Sequence, residues 1–121
     1  MTQTDTDQTV YAVAFKEGRF LMVWNPKRKG WEMPGGHVKT GETLEEGVVR
    51  EFAEEAGYAI RVVKMRDLGY CHVFAAVLGE KLQETPEMRV ELFDEIPEEL
   101  FFDRAEYEDV VPWAKKETEG F

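Results

Sequence analysis

The spacing of apolar positions changes character several times along this chain, and each change marks an element. From Val10 to Phe15 they are almost continuous, Lys16-Glu17-Gly18-Arg19 interrupts them, and Phe20 to Trp24 resumes. Two β-prone runs around a tight turn predict a hairpin. After the loop Pro26–Gly30, Trp31-Glu32-Met33 reads as a short strand that Pro34-Gly35-Gly36 breaks. From Thr43 to Ala56 the period lengthens to that of a helix. Leu44, Val48, Phe52 and Ala56 form one stripe, Thr43 and Glu46 have the spacing of a capping box, and Gly57 suits a left-handed C-cap. Ile60–Met65, Tyr70–Leu78 and Met88–Phe93 read as strands, with a polar loop from Gly79 to Glu87. Ile96–Leu100 reads as a short helical turn and Arg104–Thr118 as a second helix containing Pro112. Residues 1–8 read as a polar, disordered N-terminal tail and residues 9–121 as one domain. Strands on both sides of one strong helix, with another helix at the end, predict an α/β fold in which a mixed sheet packs between helices.

Charge narrows the functions open to such a domain. The chain of 121 residues carries a formal net charge of −10. It should repel phosphate backbones and anionic headgroups, so neither a nucleic-acid polymer nor a membrane is expected as a partner. The single cysteine, Cys71, and the two histidines, His37 and His72, leave no Cys- or His-based metal cluster. The polar, acidic start is unlike a secretory leader, and the longest apolar run, Val73–Leu78, is too short to span a bilayer, so a cytoplasmic protein is expected. No Gly-x4-Gly-Lys-Ser/Thr loop occurs.

Chemistry concentrates on the helix. Glu51, Glu54 and Glu55, three and four residues apart, crowd one side of it, where like charges repel unless something positive sits among them. Arg50 supplies one positive charge, and a hard divalent cation such as Mg²⁺ or Mn²⁺ suits the rest. A solvated acidic helix face is the competing explanation for the cluster taken alone.

The wider spacing decides between them. Gly36, Glu42, Arg50, Glu51, Phe52, Glu54, Glu55, Gly57 and Tyr58 fit Gly-x5-Glu-x7-Arg-Glu-U-x-Glu-Glu-x-Gly-U, where U is a bulky apolar residue. This resembles the Nudix box, and Trp31-Glu-Met-Pro-Gly-Gly36 and Phe93-Asp-Glu-Ile-Pro97 also look like features of that family. Phe52 and Tyr58 stand where aliphatic residues are commoner, a departure that touches packing and not chemistry. The resemblance implies the Nudix fold, an α/β/α sandwich with a mixed β-sheet and a loop–helix–loop. It also implies Mg²⁺-dependent hydrolysis of a nucleoside diphosphate linked to another group, the product being a nucleoside monophosphate.

Carried over residue by residue, the resemblance makes Glu51, Glu54 and Glu55 metal-binding carboxylates and the Gly35 carbonyl a further ligand. Arg50 holds those carboxylates, Glu42 braces Arg50, and Gly36 and Gly57 shape the loop and the helix end. Glu51, Glu54 and Arg50 are the expected catalytic set, one glutamate acting as general base. Glu87, rather than Glu84, fits an additional metal-binding or base glutamate. Phe101, Phe102 and Asp103 follow a turn where relatives often hold the nucleobase, with core packing and helix capping as the competing roles; Phe102 and Asp103 are the substrate-binding candidates. The expected substrate is a (d)NTP, oxidised ones included, cleaved to NMP and pyrophosphate. Dinucleoside polyphosphates, ADP-ribose, RNA 5′-triphosphate and a non-catalytic nucleotide-binding module are the alternatives.

Overall fold

The computed structural model describes residues 4–121. Its strands are β1 (Asp5–Lys16), β2 (Arg19–Asn25), β3 (Gly30–Glu32), β4 (Gly35–Lys39), β5 (Tyr58–Asp67), β6 (His72–Lys81) and β7 (Arg89–Phe93); its helices are α1 (Leu44–Ala56) and α2 (Arg104–Thr118). All seven strands join one sheet, with β3-β2-β1-β6-β5 in order, β4 beside β1 and β7 beside β2. Only β1 and β6 run parallel, from Val10 opposite His72 to Phe15 opposite Val77, so the sheet is mixed.

The near-continuous apolar run of β1 follows from its central place. Val10, Ala12 and Ala14 face a core that includes Val48, Phe52 and Ala56 of α1. Val13 and Phe15 face a second core that includes Tyr107, Val110, Val111 and Ala114 of α2. A strand covered by helices on both faces must be apolar at every position, so the period of two disappears. The expected α/β/α sandwich is therefore what forms. No helix among the described residues is long and apolar enough to cross a membrane.

The ends of α1 match the sequence reading in detail. Thr43 is the N-cap, and its hydroxyl and the Glu46 carboxylate make the two reciprocal bonds of a capping box. Gly57 closes the helix at φ 75°, a conformation that costs a residue with a Cβ far more than it costs glycine. Three elements depart from expectation. Asp5–Gln8 belong to β1 and not to a tail, because Asp5 pairs with Lys39 and the Thr6 hydroxyl bonds the Val38 carbonyl; residues 1–3 of that tail lie outside the described residues. Gly35–Lys39 form a strand despite two glycines, since β1 supplies the pairing partner from far back along the chain, as where Tyr11 pairs with Gly35. Ile96–Leu100 is irregular rather than helical: Trp31 donates to the Glu99 carbonyl at 2.7 Å and pairs with Leu100.

Candidate active site

The β4–α1 segment folds the box around one guanidinium. Arg50 Nε and Nη2 grip the Glu42 carboxylate side-on at 2.7 and 3.0 Å. Its Nη1 donates to Glu51 at 2.9 Å and to Glu54 at 3.1 Å, and Nη2 also reaches the His37 carbonyl at 3.1 Å. The fixed fork of arginine serves three carboxylates and a carbonyl of β4 at once, which an ammonium could not do. Glu42 in turn accepts the Lys39 amide at 2.8 Å. Its bonds to Arg50 hold its carboxyl below the usual range, while the same bonds raise the guanidinium pKa. Arg50 thus ties the loop before the helix to the helix itself.

Glycine makes room at this junction. A Cβ on Gly36 would fall 2.6 to 2.9 Å from the three carboxylate atoms of Glu51, so any other residue would displace that side chain. Glu55 lies beside it, accepting the Gly35 amide at 3.0 Å. Gly35 therefore meets the site through its N–H, in addition to any role of its carbonyl. At the far end of α1, Gln83 Nε2 donates to the Ala53 carbonyl at 3.0 Å and the Met88 amide to the Glu55 carbonyl at 3.1 Å. These bonds hold the loop bearing Glu87 against the helix. Glu84, the other candidate, pairs instead with Lys81 at 3.2 Å.

The electrostatics show a surplus of negative charge. Burial pushes the Glu55 carboxyl up to about 8, with Glu51, Glu32 and Glu87 adding to the rise and the Gly35 amide opposing it. Burial also raises Glu51, against the pull of Arg50, and Glu54 and Glu87 contribute. Glu87 is thus within electrostatic reach of both. Among the described residues no three such side chains already converge on one point. The donor set fits a hard divalent cation by chemistry: several carboxylates, partly desolvated, with more negative charge than one arginine balances.

The remaining candidates have other engagements. Asp103 is the N-cap of α2, accepting the Ala105 amide at 3.0 Å. Phe101 and Phe102 are not core residues, being 55% and 44% exposed, and Arg28 lies over both rings. Cys71 is buried and free, but it lies in the turn just before β6 and not in the strand. Sequence reasoning missed the His37 carbonyl, the Gln83 side chain and Glu32, since a backbone acceptor and two residues far from the helix leave no periodic signal.

With this geometry in view, the comparisons are specific. The NUDIX domain family matches residues 5–119. The chain belongs to the NUDIX family. It is similar over 50 residues to the MutT-like protein of Streptomyces ambofaciens, at 40% identity, covering 41% of this chain and 32% of that protein. Over another match of 50 residues it is 42% identical to an ADP-ribose pyrophosphatase of Methanocaldococcus jannaschii, covering 39% of this chain and 30% of that one. The matches span between 11% and 52% of the lengths of the curated relatives. Among solved structures, a NUDIX hydrolase from Nitrosomonas europaea superposes with a TM-score of 0.70 at 23% identity, over 97% of this chain and 74% of that one. A UDP-X diphosphatase superposes with a TM-score of 0.74 at 16% identity, over 96% and 66%. Those two likenesses establish the fold. Members of the family generally use divalent metal ions, in keeping with the carboxylate surplus.

Proposed function

We propose that this protein hydrolyses a nucleoside diphosphate linked to another group, with a (d)NTP as first substrate and NMP and pyrophosphate as products. One observation carries the reading: Arg50 gathers Glu42, Glu51 and Glu54 beside Glu55, all at positions of the box. Glu51, Glu54 and Glu55, with Glu87 close by and the Gly35 carbonyl at the cluster's edge, would hold Mg²⁺ or Mn²⁺. When bound, such a cation neutralises phosphate oxygens and lowers the pKa of water toward neutrality.

The chain's own residues then have distinct tasks. Arg50 keeps Glu51 and Glu54 aimed from the helix, and Glu42 fixes Arg50, so the carboxylates are positioned before substrate arrives. A glutamate of the cluster accepts the proton of the attacking water. The net charge of −10 would otherwise repel a polyphosphate, so affinity for substrate should depend on the cation.

The relatives' names differ in substrate, ADP-ribose for one and UDP-X for another, so the test is a panel. Purified protein is given (d)NTPs, ADP-ribose, diadenosine polyphosphates and triphosphorylated RNA, with Mg²⁺ and with EDTA, and products are identified. Turnover of a (d)NTP to NMP and pyrophosphate only with metal is expected. Equal turnover in EDTA, or binding without any cleavage, would refute the reading.

A further inference from the structure

One buried hydroxyl on the α2 face reaches the backbone that leads into the box. Tyr107, near the start of α2, is buried, and its hydroxyl accepts the amide of the buried Met33 at 3.3 Å. Met33 and Pro34 connect β3 to β4. Since β3 pairs with β2 and β4 with β1, the chain changes ladder at this connector. Its polar groups are therefore met one at a time. The Met33 N–H goes to Tyr107, Pro34 has no N–H to satisfy, and the Pro34 carbonyl accepts the Ala12 amide at 3.2 Å. The next amide along the chain, that of Gly35, is the one that donates to Glu55 at 3.0 Å.

Gly35 has no slack. A Cβ there would strike the Val10 carbonyl and fall 2.6 Å from the Tyr11 Cβ, so β4 lies hard against β1 at this point. Tyr11 is the register partner of Gly35, and the Tyr107 ring meets the Tyr11 ring edge to face, with centres 6.1 Å apart. Tyr107 thus bears on Gly35 from two directions: its ring packs on the residue opposite, and its hydroxyl holds the connector before it. Pro34 is fully buried and its ring fixes φ, so a displacement of Met33 is passed on to Gly35 and not absorbed. Burial raises the Tyr107 phenol pKa, which keeps the group a neutral hydroxyl at neutral pH. The preceding residue, Glu106, serves the Tyr11 and Tyr70 hydroxyls and makes no bond to the connector.

We infer that Tyr107 is a positioning residue for the hydrolytic site, acting on it from the opposite face of the sheet. Its hydroxyl holds the Met33–Pro34 connector, and the connector sets where the Gly35 amide and carbonyl stand beside Glu55. Without that hydroxyl the Met33 amide is a buried donor with no partner, and the connector must shift or admit water to satisfy it. Gly35 shifts with it. The inference rests on the proposed function in taking Gly35 and Glu55 to serve the hydrolysis.

The deciding variant is Tyr107→Phe, which keeps the ring and removes one oxygen. Thr118→Val is its control, because Thr118 is also buried on α2 but its hydroxyl bonds the Ala114 and Lys115 carbonyls at the far end of the helix. Amide hydrogen exchange is followed by NMR on metal-free protein at fixed pH. Met33 and Gly35 are read relative to Val13 in the centre of β1, so that a general loss of stability cancels. Wild-type Met33 should exchange as slowly as the strand amides. Tyr107→Phe should speed Met33 and Gly35 by about tenfold or more relative to Val13, and Thr118→Val should leave both ratios within about twofold. By calorimetry Mg²⁺ should bind Tyr107→Phe about threefold or more weakly, and kcat should fall about fivefold or more with KM within about twofold. Fast exchange of Met33 in wild type overturns the inference whatever the variants do. So do unchanged ratios in Tyr107→Phe, or equal changes in Thr118→Val, either of which makes Tyr107 a packing residue. Raised ratios with unaltered Mg²⁺ binding and kcat refute the positioning role as well. If wild type cleaves no nucleotide, the proposed function fails, while exchange and Mg²⁺ binding still decide what Tyr107 does to Gly35.

Discussion

Each face of the sheet carries a hydrogen-bonded network built on carboxylate, and the two are built to opposite ends. On the α2 face Glu106 accepts the Tyr11 hydroxyl at 2.7 Å and the Tyr70 hydroxyl as well. One anion meets two neutral donors, which tie β1 and the β5–β6 turn to the helix and solvate a single charge that no second carboxylate crowds. Burial, with Glu106 adding to it, raises both phenol pKa values, which keeps both protons in place to donate. On the α1 face one guanidinium serves Glu42, Glu51 and Glu54, a surplus of carboxylates over cations, and Glu87 adds to the negative field at Glu51 and Glu55. That cluster is unfinished without a cation. A carboxylate whose oxygens are met by neutral donors holds a fold together; a group of carboxylates crowded around one cation, kept in place by the fold, is available for chemistry.

The sharpest way to break the comparison is to remove charge without removing shape. Glu→Gln at Glu51, Glu54 or Glu55 should lower kcat by on the order of 10²-fold or more, since positioned charge acts chiefly in the transition state. Melting temperature should hold or rise at Glu51 and Glu55, whose ionised forms burial disfavours. Glu45→Gln, on the exposed side of the same helix, should change kcat less than about threefold. Equal small losses across all four, read by steady-state kinetics, would make the cluster a solvated face.

Arg50→Ala and Glu106→Ala separate the two faces next. Arg50→Ala releases three carboxylates and the His37 carbonyl together, so stability should fall by about 1–3 kcal/mol and kcat should fall with it. Glu106→Ala strands the largely buried Tyr11 hydroxyl and should cost a similar 1–3 kcal/mol or so. Its kcat, measured well below the melting temperature, should stay within about threefold of wild type. Loss of activity from Glu106→Ala without unfolding would contradict the division drawn here.

Acid–base behaviour offers a gentler test. Between the ordinary carboxyl value of 4.5 and about 8, folded metal-free protein holds a proton on Glu55 that the unfolded chain has lost. The folded state then binds more protons, so stability falls as pH rises through that window. A bound Mg²⁺ would take the place of the proton. Melting in EDTA should therefore be a few degrees lower at pH 8 than at pH 6, and Mg²⁺ should flatten the difference. Identical slopes with and without metal would mean that the cation does not meet Glu55.

Legibility divided along similar physical lines. Thr43, Glu46, the Leu44–Ala56 stripe and Gly57 act within a few residues of one another, so spacing alone reported them, and the box residues inherit that precision. The strand Gly35–Lys39 and the irregular Ile96–Leu100 owe their conformations to partners far along the chain, β1 and Trp31, which local propensity does not register. Phe101 and Phe102 showed the same limit. An aromatic pair after a turn suggests core by composition, and only the approach of β3 and Arg28 shows that it faces outward. Glu32 reads in sequence as one polar residue between Trp31 and Met33; its burial beside Glu55 depends on tertiary packing.

The smallest effect concerns Asp103, where a capping role and a substrate role make different demands. As N-cap of α2 it needs only an oxygen that can accept the Ala105 amide at 3.0 Å. Asparagine supplies that oxygen and is as good an N-cap as aspartate. A contact to a donor edge of the substrate would instead draw on the negative charge, and its loss would be felt in KM. The structure already commits Oδ1 to the cap, and the neighbouring Arg104 is spent on the Pro97 and Ile96 carbonyls at 2.9 and 3.1 Å. Asp103→Asn should therefore leave stability within about 0.5 kcal/mol and KM within about twofold, whereas Asp103→Ala should cost about 1 kcal/mol with KM again little changed. A KM raised tenfold in the asparagine variant, with melting unaltered, would move Asp103 from the frame of α2 to the substrate.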